Sequence, residues 1–311
     1  MNINSPGKVK GSIIKRSVLK NMDSLNNSFT KVAECYEDIE YAFYAAYNDC
    51  LVAHFLDDEI TKTYMSESII IPVGFDETLL KSITRKLNSL AKENSVLISG
   101  GHTVVSEKVK DSLISITIFA GDITMSKANV AKNDSNKSIV MTAYCGIEGS
   151  AYLYENHRKE ICDRIRNMAG ADYEGFKKWL SIKDHVKAIK DVFDEDISFM
   201  CALGCGGIYD GLYKCSEYLK CGIDVDLKKI PIRQETVEIC NILDVNPYMM
   251  RSQGSVIFVT DNPKKYIDSL ESVGIVATVI GKVTDNNDKI VRIDDEVKYI
   301  EPFKKDVIRS N

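Results

Sequence analysis

Apolar residues recur at spacings of three and four between Leu25 and Leu56, where Phe43, Ala46, Tyr47 and Leu51 line one side, and this stretch predicts mostly helix. A short β-rich run, Ser68–Pro72, follows and stops at its proline. Phe75–Asn94 predicts an amphipathic helix, with Leu79, Leu80, Ile83, Leu87 and Leu90 on one stripe and lysines on the other face. Val96–Ser99 predicts a strand that turns at Gly100–Thr103. Across Ser112–Gly121, Ile114, Ile116 and Ile118 alternate with Leu113, Ser115, Thr117 and Phe119, which is the period of a second strand.

The polar stretch Lys127–Lys137 separates this part from a second series of elements. Ser138–Ala143 predicts a strand, and Gly146–Ser150 a turn that leads into a helix. Glu155–Val192 reads as lysine-rich helices, and Cys205–Gly207 opens a further helix, Ile208–Lys220. Strands at Ile223–Leu227 and Ser255–Thr260 flank a helix at Arg233–Leu243, and Val276–Lys282 and Ile290–Ile293 close the chain with strands. Strands and helices alternate in both halves, so the fold class is α/β, or α+β, in two domains spanning 1–130 and 138–311. A length of 311 residues agrees with two domains at ~150 residues each.

Composition narrows the partners. Hydrophobic residues make up 44% and charged residues 27%, which excludes a largely disordered chain. The net charge is −5, so the overall basic excess of a nucleic-acid binder is absent. The longest apolar runs fall far short of the ~18 residues that a membrane span requires. No secretory pattern opens the chain and the nine cysteines are odd in number, so reduced thiols and a cytoplasmic location are expected. Four cysteines fall in the pattern C-x3-C-x9-C-x5-C from Cys201 to Cys221; the spacing suits buried structural thiols better than a metal site.

Several segments are candidates for chemistry. Lys8, Lys10, Lys15, Arg16 and Lys20 precede the first acid, Asp23, and form either a frayed basic arm or an arm that folds over a polyphosphate. Asn48 and Asp49 interrupt an apolar helix. Ala45, Ala46, Cys50 and Val52 surround the carboxylate in sequence and predict an interior position, where it needs a cation or donors. Mg²⁺, a nucleotide amino group and a neighbouring backbone group remain open as its partner. Gly100, Gly101, His102 and Thr103 either cradle an anion with backbone N–H groups or only make a tight turn. Gly206 and Gly207 stand at a helix N-terminus, where unpaired N–H groups attract anions. Arg251–Ser255 reads as a turn before a strand, with an exposed arginine. The sequence contains no GxSxG, HExxH, Walker-type GxxxxGK[ST] or strand-linked GxGxxG pattern, which argues against serine-triad, zinc-protease and Rossmann chemistry.

Taken in order, ISGGHTVV (98–105), SIVMTAYCGIEGSAYL (138–153), GCGGIYDGLYKCSE (204–217) and the long run from Ile230 to Thr260 resemble the aminoimidazole ribonucleotide (AIR) synthetase superfamily, over roughly residues 7–302. The likeness is to hydrogenase-maturation-type and AIR-synthase-related members, where an Asn-Asp pair, a strand ending in proline, an FDEELL-type helix and a GGHTEV loop follow one another. Here Asn48-Asp49, Ile69–Pro72, Phe75–Leu80 and Gly100–Val104 hold those places.

The resemblance implies a two-domain AIR-synthase-like fold whose N-terminal domain binds ATP with Mg²⁺ and pairs with a second copy into a homodimer. It implies activation of a carbonyl, amide or phosphate oxygen by phosphoryl transfer. By position, Asp49 is the metal ligand and, with His102, the catalytic candidate; Lys8, Lys10, Asn48, Gly100, Gly101, Thr103, Gly206 and Gly207 complete the nucleotide set. Three departures bear on activity. The acidic strand that precedes the Asn-Asp helix in the family looks shortened or lost. Ala202–Gly207 replaces a DATxGG motif. The chain ends at Asn311 rather than at the cysteine that carries a thiocarbamoyl group, so that reaction is not expected. A nucleotide-binding scaffold or regulator without turnover is therefore the competing reading.

Overall fold

A computed structural model describes residues 28–55, 62–121, 136–164, 174–304 and 307–308. Lys8 and Lys10 lie outside the described residues. The chain separates into two compact units, whose described parts are 28–121 and 136–308.

The first unit contains β1 (Ser28–Ala33), α1 (Ile39–Ala53), β2 (Lys62–Ile71), α2 (Glu77–Glu93), β3 (Val96–Val105) and β4 (Leu113–Gly121). The strands form one sheet in the order β1-β4-β2-β3, with only β2 and β3 parallel. The parallel pair follows from the connection, because α2 carries the chain back along the sheet. α1 packs on β1 and β4, α2 packs on β3, and the helices touch each other. Between helices and sheet lie Ile114, Ile116 and Ile118 of β4, Met65, Ile69 and Ile71 of β2, Phe43 and Ala46 of α1, and Ile83 and Leu87 of α2, all buried. α2 begins where the Asp76 carboxylate accepts the Thr78 N–H at 2.8 Å, an N-cap that satisfies one otherwise unpaired donor.

Two expectations change here. Residues 28–33 are strand, not the start of a helix. Phe29, Lys31 and Ala33 alternate with Ser28, Thr30 and Val32, and pairing from Ser28↔Phe119 to Ala33↔Ile114 supplies the backbone partners. The strand before the Asn-Asp helix is therefore present, although it carries Lys31 and no acid. Gly100–Thr103 is not a turn, because β3 runs without interruption to Val105. Ile98 faces Met65 and Gly100 faces Ser66, so Ser99 is an extra residue in the ladder, and its hydroxyl donates to the Met65 carbonyl at 3.0 Å.

The second unit contains β5 (Ser138–Thr142), α3 (Ile147–Arg164), α4 (Lys183–Lys190), β6 (Ile197–Ala202), α5 (Gly207–Leu219), β7 (Gly222–Asp226), α6 (Gln234–Leu243), β8 (Val256–Thr260), α7 (Pro263–Ser272), β9 (Ala277–Thr284), β10 (Lys289–Ile293) and β11 (Glu296–Tyr299). Its sheet has the order β11-β10-β7-β9-β5-β8-β6, and β7 and β10 are its parallel pair. β6 and α7 were not legible in the hydrophobic pattern. β8 lies between β5 and β6 and is buried along its whole length, which explains its unbroken apolar run VIFVT. Ile208, Leu212 and Cys215 of α5 join Ile139, Ile257 and Ile280 in this unit's core.

Candidate functional site

On α1, the two interrupting residues part company. Asn48 is wholly buried, whereas the Asp49 side chain keeps 34% of its exposure. The expected interior carboxylate thus reaches the surface, because one helical step (~100°) turns it from the core towards β1. There Lys31 Nζ stands 2.7 Å from Asp49 Oδ2, and the lysine side chain is 35% exposed. Lys31 shares the helix-facing side of β1 with Phe29 and Ala33, and its backbone is held in register with Ile116. Of the partners that the sequence left open, a cation or donors, the chain itself supplies a cation. Nothing in the sequence around Lys31 singles it out, because residues 28–33 lack a strong strand pattern.

The Gly100–Thr103 segment lies on β3, at the edge of the sheet opposite to β1. Three strand spacings of ~4.8 Å separate those edges, so Asp49 beside β1 and His102 on β3 are not in contact within one chain. Gly101 faces Glu67 in the parallel ladder, and a Cβ there would stand 2.6 Å from Glu67 Oε1. Glycine leaves room for a carboxylate that turns inward beside Ile116. Glu67 Oε2 is buried with no hydrogen-bond partner, and desolvation raises the acid's pKa above the ordinary 4.5.

In the second unit, Gly206 caps α5 with φ +88° and Gly207 follows at +60°. Both values favour glycine. A Cβ on Gly207 would stand 2.7 Å from the Tyr248 carbonyl, and one on Gly206 would stand 2.5 Å from the Phe303 ring. Close packing therefore requires glycine at both positions. Tyr209, on the first turn of α5, stacks on Tyr248 at 5.8 Å, and burial pushes its phenol up to about 12. The Cys145 thiol lies 3.3 Å from the Pro247 carbonyl, and burial pushes it up to about 12, so it is a neutral thiol.

Arg251–Ser255 is buried, and its arginine is not the exposed one that the sequence predicts. The arginine is only 6% exposed and covers the Tyr152 ring at 5.1 Å from its centroid. The Ser252 hydroxyl accepts the Gly146 N–H and donates to the Met250 carbonyl, both at 2.8 Å. The Gln253 N–H donates to Glu148 Oε2 at 3.2 Å, and the Ser255 hydroxyl to the Tyr144 carbonyl at 2.9 Å. These buried polar groups tie the approach to β8 to the turn between β5 and α3, and each needs such a partner to be tolerated inside. Glu148, which this knot uses, was also absent from the sequence reading. All nine cysteines are free, and no three His, Cys, Asp or Glu side chains converge on a metal-sized position among the described residues.

A four-stranded sheet covered by an Asn-Asp helix, followed by a seven-stranded α/β unit whose glycine pair opens a helix, defines a two-domain AIR-synthase-like fold. The family model for the AIR synthase related protein, C-terminal domain, matches residues 137–294, and the chain belongs to that family. It is 30% identical over 241 residues to a Methanocaldococcus jannaschii protein named for hydrogenase expression and formation, a match covering 73% of this chain and 66% of that protein. It is 23% identical over 201 residues to the carbamoyl dehydratase HypE of Cupriavidus necator, covering 63% of this chain and 53% of the enzyme. The match thus spans about half to two thirds of those relatives. The structure of a hydrogenase maturation protein HypE in complex with ATP superposes with a TM-score of 0.70 at 16% identity, over 91% of this chain and 86% of that one. No helix among the described residues is long and apolar enough to cross a membrane.

Proposed function

We propose that the protein binds ATP on its first unit and activates a small-molecule carbonyl or amide oxygen by phosphoryl transfer, as a hydrogenase-maturation-type enzyme. The observation that carries this reading is the Asn48-Asp49 pair on α1, with the asparagine anchored in the core and the carboxylate delivered to the surface beside a lysine. Membership of the AIR synthase related family and the likeness to an ATP-bound fold support it. In this reading Asp49 and His102 are the catalytic residues. Asn48, Gly100, Gly101 and Thr103 hold the nucleotide on that unit. Because Asp49 and His102 belong to opposite edges of one sheet, a complete site needs a second copy, and β3, an edge strand among the described residues, is the surface that would receive it. A cytoplasmic location accompanies this reading.

Mg²⁺ was expected as a companion of ATP. The described residues do not fit a resident ion: Asp49 already holds Lys31, and no acidic group of three converges. Hard divalent ions need several oxygen ligands, which one paired carboxylate does not provide.

The second reading, a nucleotide-binding scaffold without turnover, is favoured by the same ion pair and by the absence of acids from β1. A thermal-shift titration with ATP, followed by a phosphate-release assay, separates the outcomes. ATP at a hundredfold excess over its Kd should add ~2.7 kcal/mol of stability. Binding with phosphate release supports the enzyme, and binding without release supports the scaffold. No shift at millimolar ATP, with or without Mg²⁺, overturns both.

A further inference from the structure

Asp49 is the acid to which the family pattern assigns a metal ion, yet its carboxylate faces an ammonium group. We infer that Lys31 is the built-in cation of this site, so that Asp49 takes no divalent ion and an anionic phosphate ligand is met by the lysine charge. Four observations converge. Lys31 Nζ lies 2.7 Å from Asp49 Oδ2, a charge-assisted contact. The two side chains are exposed to nearly the same degree, 35% and 34%, so the pair sits at the surface and within reach of a ligand. The lysine is positioned by regular structure, since its strand is laddered to β4 on both sides of it. No second acid stands on β1 to complete an oxygen cage.

Chemistry makes the exchange consequential. An ammonium group is a compact single charge with three N–H donors, of which the carboxylate takes one. The others can meet phosphate oxygens without the dehydration that Mg²⁺ resists. The pair as a whole is neutral, whereas a divalent ion on Asp49 would leave a net positive charge. A polyphosphate here gains less Coulomb attraction than at a metal-loaded site, but it gains that attraction without metal.

The identity of the ligand rests on the ATP-binding reading; the state of Asp49 does not. The test therefore has two arms on the full chain. In the first, Mn²⁺ alone is titrated and free Mn²⁺ is followed by electron paramagnetic resonance. Asp49→Asn should leave wild-type Mn²⁺ binding unchanged. Lys31→Ala, which frees one carboxylate but completes no cage, should raise the Mn²⁺ response by about twofold to fivefold over wild type, the scale of a half-exposed ion pair. Lys31→Ala/Asp49→Asn should lose that gain, and Lys31→Arg should behave as wild type. A fall in wild-type Mn²⁺ affinity on Asp49→Asn, or no gain in Lys31→Ala, overturns the inference. In the second arm, tripolyphosphate is titrated in the presence of EDTA. Wild-type binding that weakens about tenfold in Lys31→Ala and survives in Lys31→Arg supports the inference; wild-type binding that requires Mn²⁺ overturns it. Absence of tripolyphosphate binding under both conditions refutes the nucleotide reading instead, and the Mn²⁺ comparison still decides the state of Asp49.

Discussion

The Thr142 hydroxyl lies 2.8 Å from His185 Nδ1 while it accepts the Val256 N–H at 3.0 Å. The hydroxyl therefore has two partners, the ring nitrogen and the backbone N–H. Burial disfavours the charged ring, so His185 is neutral at neutral pH. This pair joins β5, α4 and the start of β8 within the second unit.

Burial lowers the His185 pKa to about 4, with Asp184 opposing the shift. The unfolded chain binds a proton below the ordinary 6.5, whereas the folded chain resists until about 4. Stability is thus complete above pH 6.5 and falls as the pH drops through 4, by on the order of 3 kcal/mol at most. Chemical denaturation between neutrality and pH 4 should show this slope, and His185→Asn should flatten it. An unchanged slope in the variant would assign the acid sensitivity elsewhere.

Thr142→Val removes the hydrogen-bond partner of His185 Nδ1 and the acceptor for Val256 N–H without changing shape. Two buried polar groups lose their partner at once, so the loss should be about 2–4 kcal/mol. Thr142→Ser, which keeps the hydroxyl, should recover most of it. Equal melting temperatures for the two variants would count against the hydrogen-bond account.

Glu67 behaves in the opposite sense to His185. Desolvation raises its folded pKa, so its contribution is complete below the ordinary 4.5 and is lost as the pH rises through the folded value. Glu67→Gln should therefore gain stability relative to wild type on going from acid to neutral pH. Melting temperatures measured in parallel would expose a constant difference, which this account does not allow.

Gly254 has φ +90°, and a Cβ there would overlap the Trp179 carbonyl. Backbone, not a flexible side chain, is in the way. Gly254→Ala should cost ~3 kcal/mol or more and loosen the Arg251–Ser255 knot. Gly74, also at positive φ but in open space, is the control, and Gly74→Ala should cost about 1 kcal/mol.

Among the described residues β3 is an edge strand, and it exposes Leu97, Ile98, Val104 and Val105. Sedimentation at micromolar concentration should give twice the monomer mass, and Ile98→Lys should shift the protein towards monomer. A wild-type monomer would remove the shared-site part of the proposal.

Much of the architecture could be read from the chain because burial is periodic and local. The stripe Ile83, Leu87 and Leu90 specified α2, and Ile114, Ile116 and Ile118 specified the inner face of β4, each by the residue types alone. Family membership was likewise legible in short motifs, because the turns and helix starts around Gly206 and Gly207 restrict which residues fit.

Tertiary structure decided what depends on partners distant in sequence. Residues 28–33 have no strong strand signal, and they became a strand because β4 offered a ladder more than eighty positions away. Gly100–Thr103 looked like a turn by composition, and β2 held it extended. Arg251 reads as a surface residue until Tyr152 and the Glu148 region fold around it. Asp49 is the clearest case. Its apolar neighbours called for a cation or donors, but spacing along one helix carries no information about which strand lies beside it. Only the packing of α1 on β1 brought Lys31 to within 2.7 Å and made the chain's own ammonium the answer.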